Sequence, residues 1–252
     1  MAYVDAAAGL AEYLRDRRLT SPRLETIMAC AGTVTAEYRE LIESVFGAEL
    51  FDKYGSRECC DLACECRQHQ GLHVFSPNAF IEIVDEHGAV TPPGVPGRLL
   101  VTLLNNRGFP MIRYEIGDLA AAAPPGTCPC GSPFPRIQQL CGRQDDLLTT
   151  EDGTAVTSVF IRHFVGVSLN RQLIREWQLE QRTRSDLVFR YIPLHREGLA
   201  ENLAALRRSF ASVFGPSPRF SFEEVDVIPP TPSGKTRWIV NRLRLPEDHR
   251  RD

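Results

Sequence analysis

An α/β unit followed by a smaller α+β unit is the fold class that this sequence predicts. The first fifty residues alternate strand-like and helix-like segments, the middle of the chain is rich in short strands, and the pattern changes again near residue 145. With 252 residues, 43% of them hydrophobic, the chain has enough apolar material for one large core or two smaller ones. We expect two domains, residues 1–145 and 146–252.

The first unit is predicted to begin with an amphipathic helix over residues 5–18. The apolar run "ETIMACAG" (25–32) ends at glycine, which predicts a buried strand that leads into a loop. A second helix is predicted over residues 35–47, because Thr35 can cap its start and Gly47 its end. The next strand-like run, "AELFDKYG", completes a strand–helix–strand unit of a parallel sheet.

The middle of the chain predicts a β-rich subdomain. Its strand-like runs are separated by turn-rich segments and are followed by a loop dense in Pro, Gly and Cys, "PPGTCPCGSPFP". The strand-like runs are "AFIEIVD", "GRLLVTLL" and "MIRYEIGDLAAA".

After "GRQDD" (142–146) the sequence predicts a hairpin, a helix, two strands, a second helix and a last strand. The hairpin "LLTTEDGTAVT" has an Asp-Gly turn, and the two helices are expected near residues 158–165 and 198–213. The strands are "IREWQLEQ", "DLVFRYI" and "RFSFEEVDVI".

The charge and the apolar pattern exclude several classes of protein. A net charge of -3 favours neither a nucleic-acid nor a membrane surface, and no apolar run approaches the roughly 18 residues needed to cross a bilayer. The N-terminus lacks the pattern of a secretory signal, so we expect a cytoplasmic protein. In that compartment the eight cysteines are expected to be metal ligands or free thiols and not disulfides.

Two cysteine-rich segments predict a structural zinc site. Zinc takes about four soft ligands in a tetrahedron, commonly from two short loops, and Cys-x-Cys in a Pro/Gly loop is unlike a hydrophobic core. The alternative is that these thiols pack as small buried side chains. The predicted ligands are Cys66, His73, Cys128 and Cys130, with Cys64 and His69 as possible substitutes.

The pentapeptide "YGSRE" (54–58) follows a predicted strand and suits a nucleotide-binding loop. The ring of Tyr54 can stack on a base, the backbone at Gly55 and the hydroxyl of Ser56 can contact a phosphate, and Glu58 can reach Mg²⁺. The alternative interpretation is an ordinary surface turn.

Two further motifs carry candidate nucleotide ligands. "RYEIGD" (113–118) is predicted to end a strand at Asp118, whose carboxylate can accept both hydroxyls of a ribose. "GRQDD" offers Arg143 as a donor to ribose or phosphate and Asp145 as a pivot between domains. The alternatives are a strand-terminal turn and a charged linker.

Lys235 stands out because the basic residues are almost all arginine, with only Lys53 and Lys235 being lysine. It lies in the glycine-containing loop "PSGKTR" (232–237), where an ammonium can stabilise charge on a reacting carboxylate and α-phosphate. The alternative is a solvated loop lysine. The glycine spacing of a P-loop is absent.

In their order along the chain, "AG" (31–32), "YGSRE", "RYEIGD", "GRQDD" and "SGK" resemble the motifs of the adenylate-forming superfamily of acyl-CoA synthetases. The added "CEC…GLH" and "CPCG" are similar to its phenylacetate–CoA ligase branch, which includes capsule-biosynthesis and coenzyme F390 synthetase relatives. The resemblance covers about residues 3–245. It implies the C-terminal part of the large adenylate-forming domain, followed by a small mobile domain.

The resemblance also implies a reaction, in which a small-molecule carboxylic acid attacks Mg-ATP to give an acyl-adenylate, and a thiol, typically CoA, then takes the acyl group. It places Gly32 beside the adenine, Glu58 on Mg²⁺, Asp118 on the ribose and Lys235 in adenylation. It assigns Tyr54, Gly55 and Ser56 to the nucleotide, and Arg143 and Asp145 to the hinge.

The sequence departs from the family's pattern in one respect. Such enzymes carry a Ser/Thr/Gly-rich loop for the ATP β- and γ-phosphates, and this sequence shows no such loop. We therefore expect a fragment, an enzyme completed by a missing N-terminal portion or partner chain, or a chain without catalysis. The alternative function is a non-catalytic, zinc-stabilised nucleotide-binding or interaction module. "TTEDGTAVTSVFIRHF" resembles the capsule-type relatives more than true phenylacetate ligases, which leaves the acid open.

Overall fold

The computed structural model describes residues 1–168, 173–229 and 237–243. The chain forms two compact units, Met1–Leu140 and Cys141–Asp252, each of which is described by itself below. None of the helices in the described ranges is both long and apolar enough to cross a membrane.

The first unit begins with parallel strands and two helices. The strands β1, β2 and β3 pair in that order and run parallel, and α1 and α2 pack on them through a core that includes Val4, Ile42 and Leu50. The elements are β1 (Ala2–Tyr3), α1 (Val4–Asp16), β2 (Thr26–Cys30), α2 (Ala36–Phe46) and β3 (Glu49–Ser56). The two-residue strand β1 was not predicted from the sequence.

The ends of α2 lie where the sequence predicts them. The side chain of Thr35 accepts a hydrogen bond from the backbone amide of Tyr38 at 3.2 Å, which satisfies one of the free donors of the first turn. Gly47 follows the helix with a left-handed backbone, φ 62°, and its amide donates to the carbonyl of Glu43. This is the usual helix stop, because glycine adopts positive φ without a steric cost.

Six more strands extend this sheet to nine, in the order β1-β2-β3-β4-β5-β9-β8-β7-β6. The sheet encloses a second core in which Leu62, Leu99 and Ile137 are fully or almost fully buried. The strands are β4 (Cys60–Glu65), β5 (Leu72–Val74), β6 (Ala79–Val84), β7 (Pro96–Leu103), β8 (Tyr114–Ala122) and β9 (Arg136–Arg143). The sequence analysis missed β4, β5 and β9, because their runs are short or interrupted by Cys, His and charged residues.

The second unit contains a four-stranded sheet in the order β14-β13-β12-β15, a short β10–β11 hairpin and two helices. A 3₁₀ turn at Gln144–Asp146 precedes them. The elements are β10 (Leu148–Thr149), β11 (Ala155–Val156), α3 (Ser158–Ser168), β12 (Ile174–Thr183), β13 (Asp186–Pro193), α4 (Leu199–Phe214), β14 (Arg219–Glu224) and β15 (Ile239–Asn241). The predicted hairpin, helices and strands are present; β14 is shorter than predicted, and β15 was missed.

Aromatic side chains form the centre of the second unit's core. Phe189 lies 5.5 Å from Trp177 and 5.9 Å from Phe210, and Phe210 stacks on Phe220 at 5.4 Å, all between ring centroids. Offset and tilted rings at such distances pack favourably. The predicted fold class, α/β followed by α+β, is confirmed.

Candidate functional site

The "YGSRE" motif lies on the β3–β4 hairpin. Tyr54, Gly55 and Ser56 belong to β3 itself, so the prediction that the motif follows the strand was wrong, and only Arg57 and Glu58 lie in the turn. The motif looked like a loop because glycine and serine favour turns.

The register slips between Tyr54 and Gly55, and a side chain at Gly55 would collide with the carbonyl oxygen of Cys60. The structure therefore explains why position 55 is glycine: the bulged strand approaches its neighbour so closely that there is no room for a side chain.

Asp118 lies within β8 and not at its end, so this prediction was also wrong. In β8, Glu115 pairs with Leu100 of β7, and Leu119 pairs with Arg98. The three residues of β8 between these pairs face the single residue Leu99, so β8 contains a bulge. Gly117 in this bulge has a left-handed backbone, φ 81°. Because a bulge changes the direction of the side chains near it, the bulge explains how Asp118 can be a ligand candidate although it lies in the middle of a strand.

The structure brings "YGSRE" and "RYEIGD" together. The hydroxyl of Tyr54 donates to Oδ2 of Asp118 at 2.6 Å, and the hydroxyl of Tyr114 donates to Oε1 of Glu58 at 3.1 Å. β4, β5 and β9 lie between β3 and β8 in the sheet order. The sheet must therefore curl for these side chains to meet.

The other nucleotide candidates of the first unit, Ser56 and Gly32, lie at the end of β3 and in a bend after β2. The hydroxyl of Ser56 accepts from the amide of Cys59 at 3.1 Å, which stabilises the β3–β4 turn. Gly32 lies in an exposed bend after β2, where an added Cβ would approach the side chain of Val4 at 3.1 Å. These contacts explain the local geometry, and the nucleotide roles of both residues stay predictions.

Two predicted residues lie in the second unit, and a third is outside the residues that the structure describes. Arg143, the last residue of β9, and Asp145, in the 3₁₀ turn, belong to the second unit, and their side chains lie 3.9 Å apart there. Asp146 beside them forms an ion pair with Arg237 at 3.6 Å, and burial raises the pKa of its carboxyl. Lys235 lies outside the described residues.

The four predicted metal ligands meet in the first unit. The ligand atoms of Cys66, His73, Cys128 and Cys130 all lie within 4.8 Å of one another. The sulfur atoms of Cys66 and Cys128 are 3.8 Å apart, and the sulfur of Cys130 lies 3.4 Å from Nε2 of His73. Short segments after β4 and before β9 carry the cysteines, and β5 carries the histidine.

This group fits a tetrahedral zinc ion. Zn–S bonds of about 2.3 Å and Zn–N bonds of about 2.0–2.1 Å give tetrahedral edges of roughly 3.8 Å between sulfurs and 3.5 Å between sulfur and nitrogen. The distance between the sulfurs of Cys66 and Cys128 and that between the sulfur of Cys130 and Nε2 of His73 match these edges. Hydrogen bonding by the backbone amide of Cys130 lowers the pKa of the Cys128 thiol to about 6, and the thiolate is the form that binds metal. Nδ1 of His73 is buried and has no hydrogen-bond partner among the described residues.

The two possible substitutes are not part of this group. His69 instead lies between carboxylates, with Nδ1 3.1 Å from Glu65 and Nε2 3.4 Å from Glu49. Cys64 pairs across the ladder with His73, and burial raises the pKa of its thiol.

A half-buried charge network next to Cys66 in the sequence was missed by the sequence analysis. Glu65 forms a bidentate ion pair with Arg39 of α2 at 2.8 and 3.0 Å and accepts from the backbone amide of Asp52 at 2.8 Å. Burial, and secondly the charge of Glu65, raise the pKa of Asp52 to about 7. Acidic residues on a strand carry no local signal of this proximity.

Tyr114 was missed as well, although it contacts the predicted ligand Glu58. One signal was available, since both motifs place tyrosine four residues before an acidic residue: Tyr54 before Glu58 and Tyr114 before Asp118.

Comparison with known proteins identifies relatives for the chain. Residues 148–242 match the family model of the CapK C-terminal domain. The chain is 24% identical to the CapK protein of Staphylococcus aureus over 244 residues, which are 96% of this chain and 52% of that protein. It is 30% identical to the phenylacetate–coenzyme A ligase of Thermus thermophilus over 148 residues, 56% of this chain and 33% of that enzyme.

Solved structures share the fold. A 2-hydroxyisobutyryl-CoA ligase in the postadenylation state superposes with a TM-score of 0.71 at 24% identity, over 95% of this chain and 54% of that one. The amide bond synthetase McbA of Marinactinospora thermotolerans gives a TM-score of 0.62 at 19% identity, over 92% and 49% of the two chains. The chain thus spans about half the length of these structures and of CapK.

Proposed function

We propose, from the premise that this chain is a relative of phenylacetate–CoA ligase and CapK with the fold of the adenylate-forming enzymes, that it acts in an ATP-dependent carboxylate–CoA ligase. In this proposal the chain supplies the nucleoside-binding part of the site. The observation that supports it most directly is the hydrogen bond between Tyr54 and Asp118, which joins two of the five motifs in space.

Each predicted residue has a proposed task. Tyr54, Gly55, Ser56 and Gly32 surround the adenine and the α-phosphate side of ATP, and Asp118 accepts from the ribose hydroxyls. Glu58 is exposed in the β3–β4 turn, where its carboxylate is accessible to Mg²⁺. Mg²⁺ would neutralise charge on the phosphates during attack by the carboxylate.

Arg143 and Asp145 are proposed to serve as the hinge of the second unit. We assign to Lys235 the stabilisation of negative charge at the α-phosphate during adenylation. CoA is proposed as the acceptor thiol, and a cytoplasmic location stays a prediction.

The Cys66, His73, Cys128 and Cys130 group is proposed to bind one structural zinc ion. All four ligands come from the protein, and such closed sites stabilise folds and perform no chemistry. The ion would tie the segment after β4 to the segment before β9 without contacting the nucleotide.

The proposal is tested by carboxylate-dependent exchange of pyrophosphate into ATP, with a panel of aryl and alkyl acids. We expect little exchange from the chain as given and clear exchange when any coding sequence upstream of it is restored. AMP binding to the chain itself is expected in calorimetry. Absence of both AMP binding and exchange in the restored protein contradicts the proposal.

Lys235→Ala separates the two half-reactions. In the protein that shows exchange, we expect adenylation to fall about 10²–10³-fold, the usual cost of removing one charge-stabilising donor. Thioester formation from supplied acyl-adenylate should change less than threefold, with Lys53→Ala as the matched control. An equal loss in both steps contradicts the assigned role.

A second candidate is a zinc-stabilised nucleotide-binding or interaction module without catalysis. The closed four-ligand group favours it, because such a group can stabilise a β-rich unit on its own. Tight AMP binding without exchange for any acid, in the restored protein, is the outcome that selects this candidate.

A further inference from the structure

The two motifs of the candidate site are joined twice, and the two hydrogen bonds are reciprocal. Tyr54 of the first motif donates to Asp118 of the second, and Tyr114 of the second donates to Glu58 of the first. Each tyrosine therefore contacts the carboxylate of the other motif, although its own motif has an acidic residue four positions later.

We propose that Tyr54 and Tyr114 are positioning residues, each of which holds the nucleotide-binding carboxylate of the other motif. This inference rests on the proposed function, because it takes Asp118 as the ribose ligand and Glu58 as the Mg²⁺ ligand. It differs from the role that the pentapeptide "YGSRE" predicted for Tyr54, which is stacking of its ring on a base.

The burial of the Tyr54 ring supports this difference. The residue is only 8% exposed and its ring lies in the core enclosed by the sheet, with neighbours that include Leu62 and Ala63. The ring is thus occupied by core packing, and the hydroxyl is the part of the side chain that forms a specific hydrogen bond, to Asp118. A phenol fixed by core packing is a rigid donor, since its ring cannot turn without disturbing the core.

The lengths of the bonds indicate how strongly each carboxylate is held. The 2.6 Å contact between Tyr54 and Asp118 has the length of a charge-assisted O–H···O⁻ bond, and it is partly buried. The 3.1 Å contact between Tyr114 and Glu58 is longer and exposed to solvent. A carboxylate has about four acceptor sites, so the hydrogen bond from a phenol takes one of several sites and is compatible with binding of a ribose hydroxyl or a cation.

The backbone on both sides of Tyr114 supports the same assignment. Arg113 adopts a positive φ of 49° and Gly117 one of 81°, so one left-handed residue directly precedes Tyr114 and the other directly precedes Asp118. The amide of Arg113 donates to the hydroxyl of Thr102 at 3.0 Å, and its guanidinium pairs with Glu82 at 3.1 Å. These contacts fix the segment that presents one phenol and one carboxylate to the hairpin.

The test removes each hydroxyl in the full protein with the variants Tyr54→Phe and Tyr114→Phe. For each variant, calorimetry measures the Kd of ATP and of 2′-deoxy-ATP at a series of Mg²⁺ concentrations. Tyr54→Phe is expected to reduce the preference for ATP over 2′-deoxy-ATP about fivefold to tenfold, because the hydrogen bond to a charged group is lost. Tyr114→Phe is expected to leave that preference unchanged and to raise the Mg²⁺ concentration for half-maximal ATP binding about threefold.

Matched controls separate these roles from general effects of losing a hydroxyl. Tyr191→Phe removes a phenol that is also 8% exposed but lies in the second unit, and Tyr13→Phe removes an exposed one on α1. Both controls should keep the wild-type nucleotide preference and Mg²⁺ dependence. In an Asp118→Asn background, Tyr54→Phe should have no further effect on the preference, because its action passes through Asp118.

Two failures are distinguishable. If the wild-type protein binds ATP and Tyr54→Phe behaves like Tyr191→Phe, the positioning roles are wrong and the proposed function stands. The same holds if both site variants weaken both readouts in parallel, which indicates a structural effect. If the wild-type protein binds no adenine nucleotide, the proposed function fails and the positioning roles fail with it.

Discussion

The two compact units of this chain are stabilised by different kinds of side chain. The β-rich core of the first contains many small residues, among them Ala63, Ala79 and Ala120, together with the Cys/His group at its edge. The core of the second contains Trp177, Phe189, Phe210 and further aromatic rings. Aromatic side chains bury large apolar areas, whereas small residues bury little.

From this difference we predict that the first unit depends on its candidate metal ligands for stability and that the second unit does not. A short strand such as β5, three residues long, contributes few ladder hydrogen bonds, so a zinc ion bound at the nearby Cys/His group would be a substantial part of its stability. Both tryptophans of the chain, Trp177 and Trp238, lie in the second unit. Their fluorescence therefore reports on the second unit alone.

Removal of the metal is expected to have the largest effect. We predict about one zinc per chain by elemental analysis, and a loss of roughly 5 kcal/mol or more from the first unit on chelation or in Cys128→Ser, since structural zinc contributes about 10–16 kcal/mol in peptides. Hydrogen exchange at β5 and β9 should accelerate. The tryptophan-detected urea midpoint should stay the same.

Cys60→Ser is the control for that experiment, because Cys60 is exposed and lies outside the ligand group. If metal-free protein shows unchanged hydrogen exchange in β5, the first unit does not depend on the metal and the prediction is wrong. If the tryptophan-detected urea midpoint falls with the zinc content, the second unit also depends on the metal, which contradicts the prediction as well.

Phe210→Ala is expected to have the next largest effect. Phe210 is fully buried and contacts Phe189 and Phe220, so its removal should lower the free energy of unfolding by about 3–5 kcal/mol in tryptophan-detected denaturation. The zinc content should not change. Phe160→Ala, at a residue of α3 that is 47% exposed, is the control and should cost less than about 1 kcal/mol. Equal losses in the two variants would contradict a core centred on Phe210.

The smallest expected effect is a pH dependence of the first unit alone. The pKa of Asp52 is about 7 in the folded chain against 3.8 as its ordinary value, so the folded state binds more protons between these pH values. The contribution of Asp52 to stability should therefore fall as pH rises from about 4 to 7 and then level off.

Asp52→Asn keeps the backbone hydrogen bond to Glu65 and removes the titrating group. We expect it to flatten this part of the stability profile, measured by hydrogen exchange in β3, with Asp61→Asn on the exposed side of the hairpin as control. A profile that Asp52→Asn leaves unchanged would show that the carboxyl is already ionised at pH 4.

Much of the fold was predictable because its signals are local. The Thr35 cap and the Gly47 stop set the ends of α2 through contacts of three or four residues. The strands β4, β5 and β9 were not predicted, because their sequences lack a clear alternating apolar pattern and the pairing of β5 with β9 joins residues far apart in the chain.

The candidate site divides in the same way. The metal ligands were predicted because soft ligands in Pro/Gly-rich segments have few other uses. The contact of Tyr114 with Glu58 joins residues 56 positions apart, and no local pattern specifies it. The same holds for the charge network of Arg39, Asp52 and Glu65.

The sequence by itself determined the order of most elements, the ends of α2, the four candidate metal ligands and the resemblance to the adenylate-forming enzymes. Only the tertiary structure decided which tyrosine contacts which carboxylate. The reason is that caps and turns form within a few residues, whereas Tyr54 and Asp118 meet only when three intervening strands curl the sheet and a bulge redirects the carboxylate.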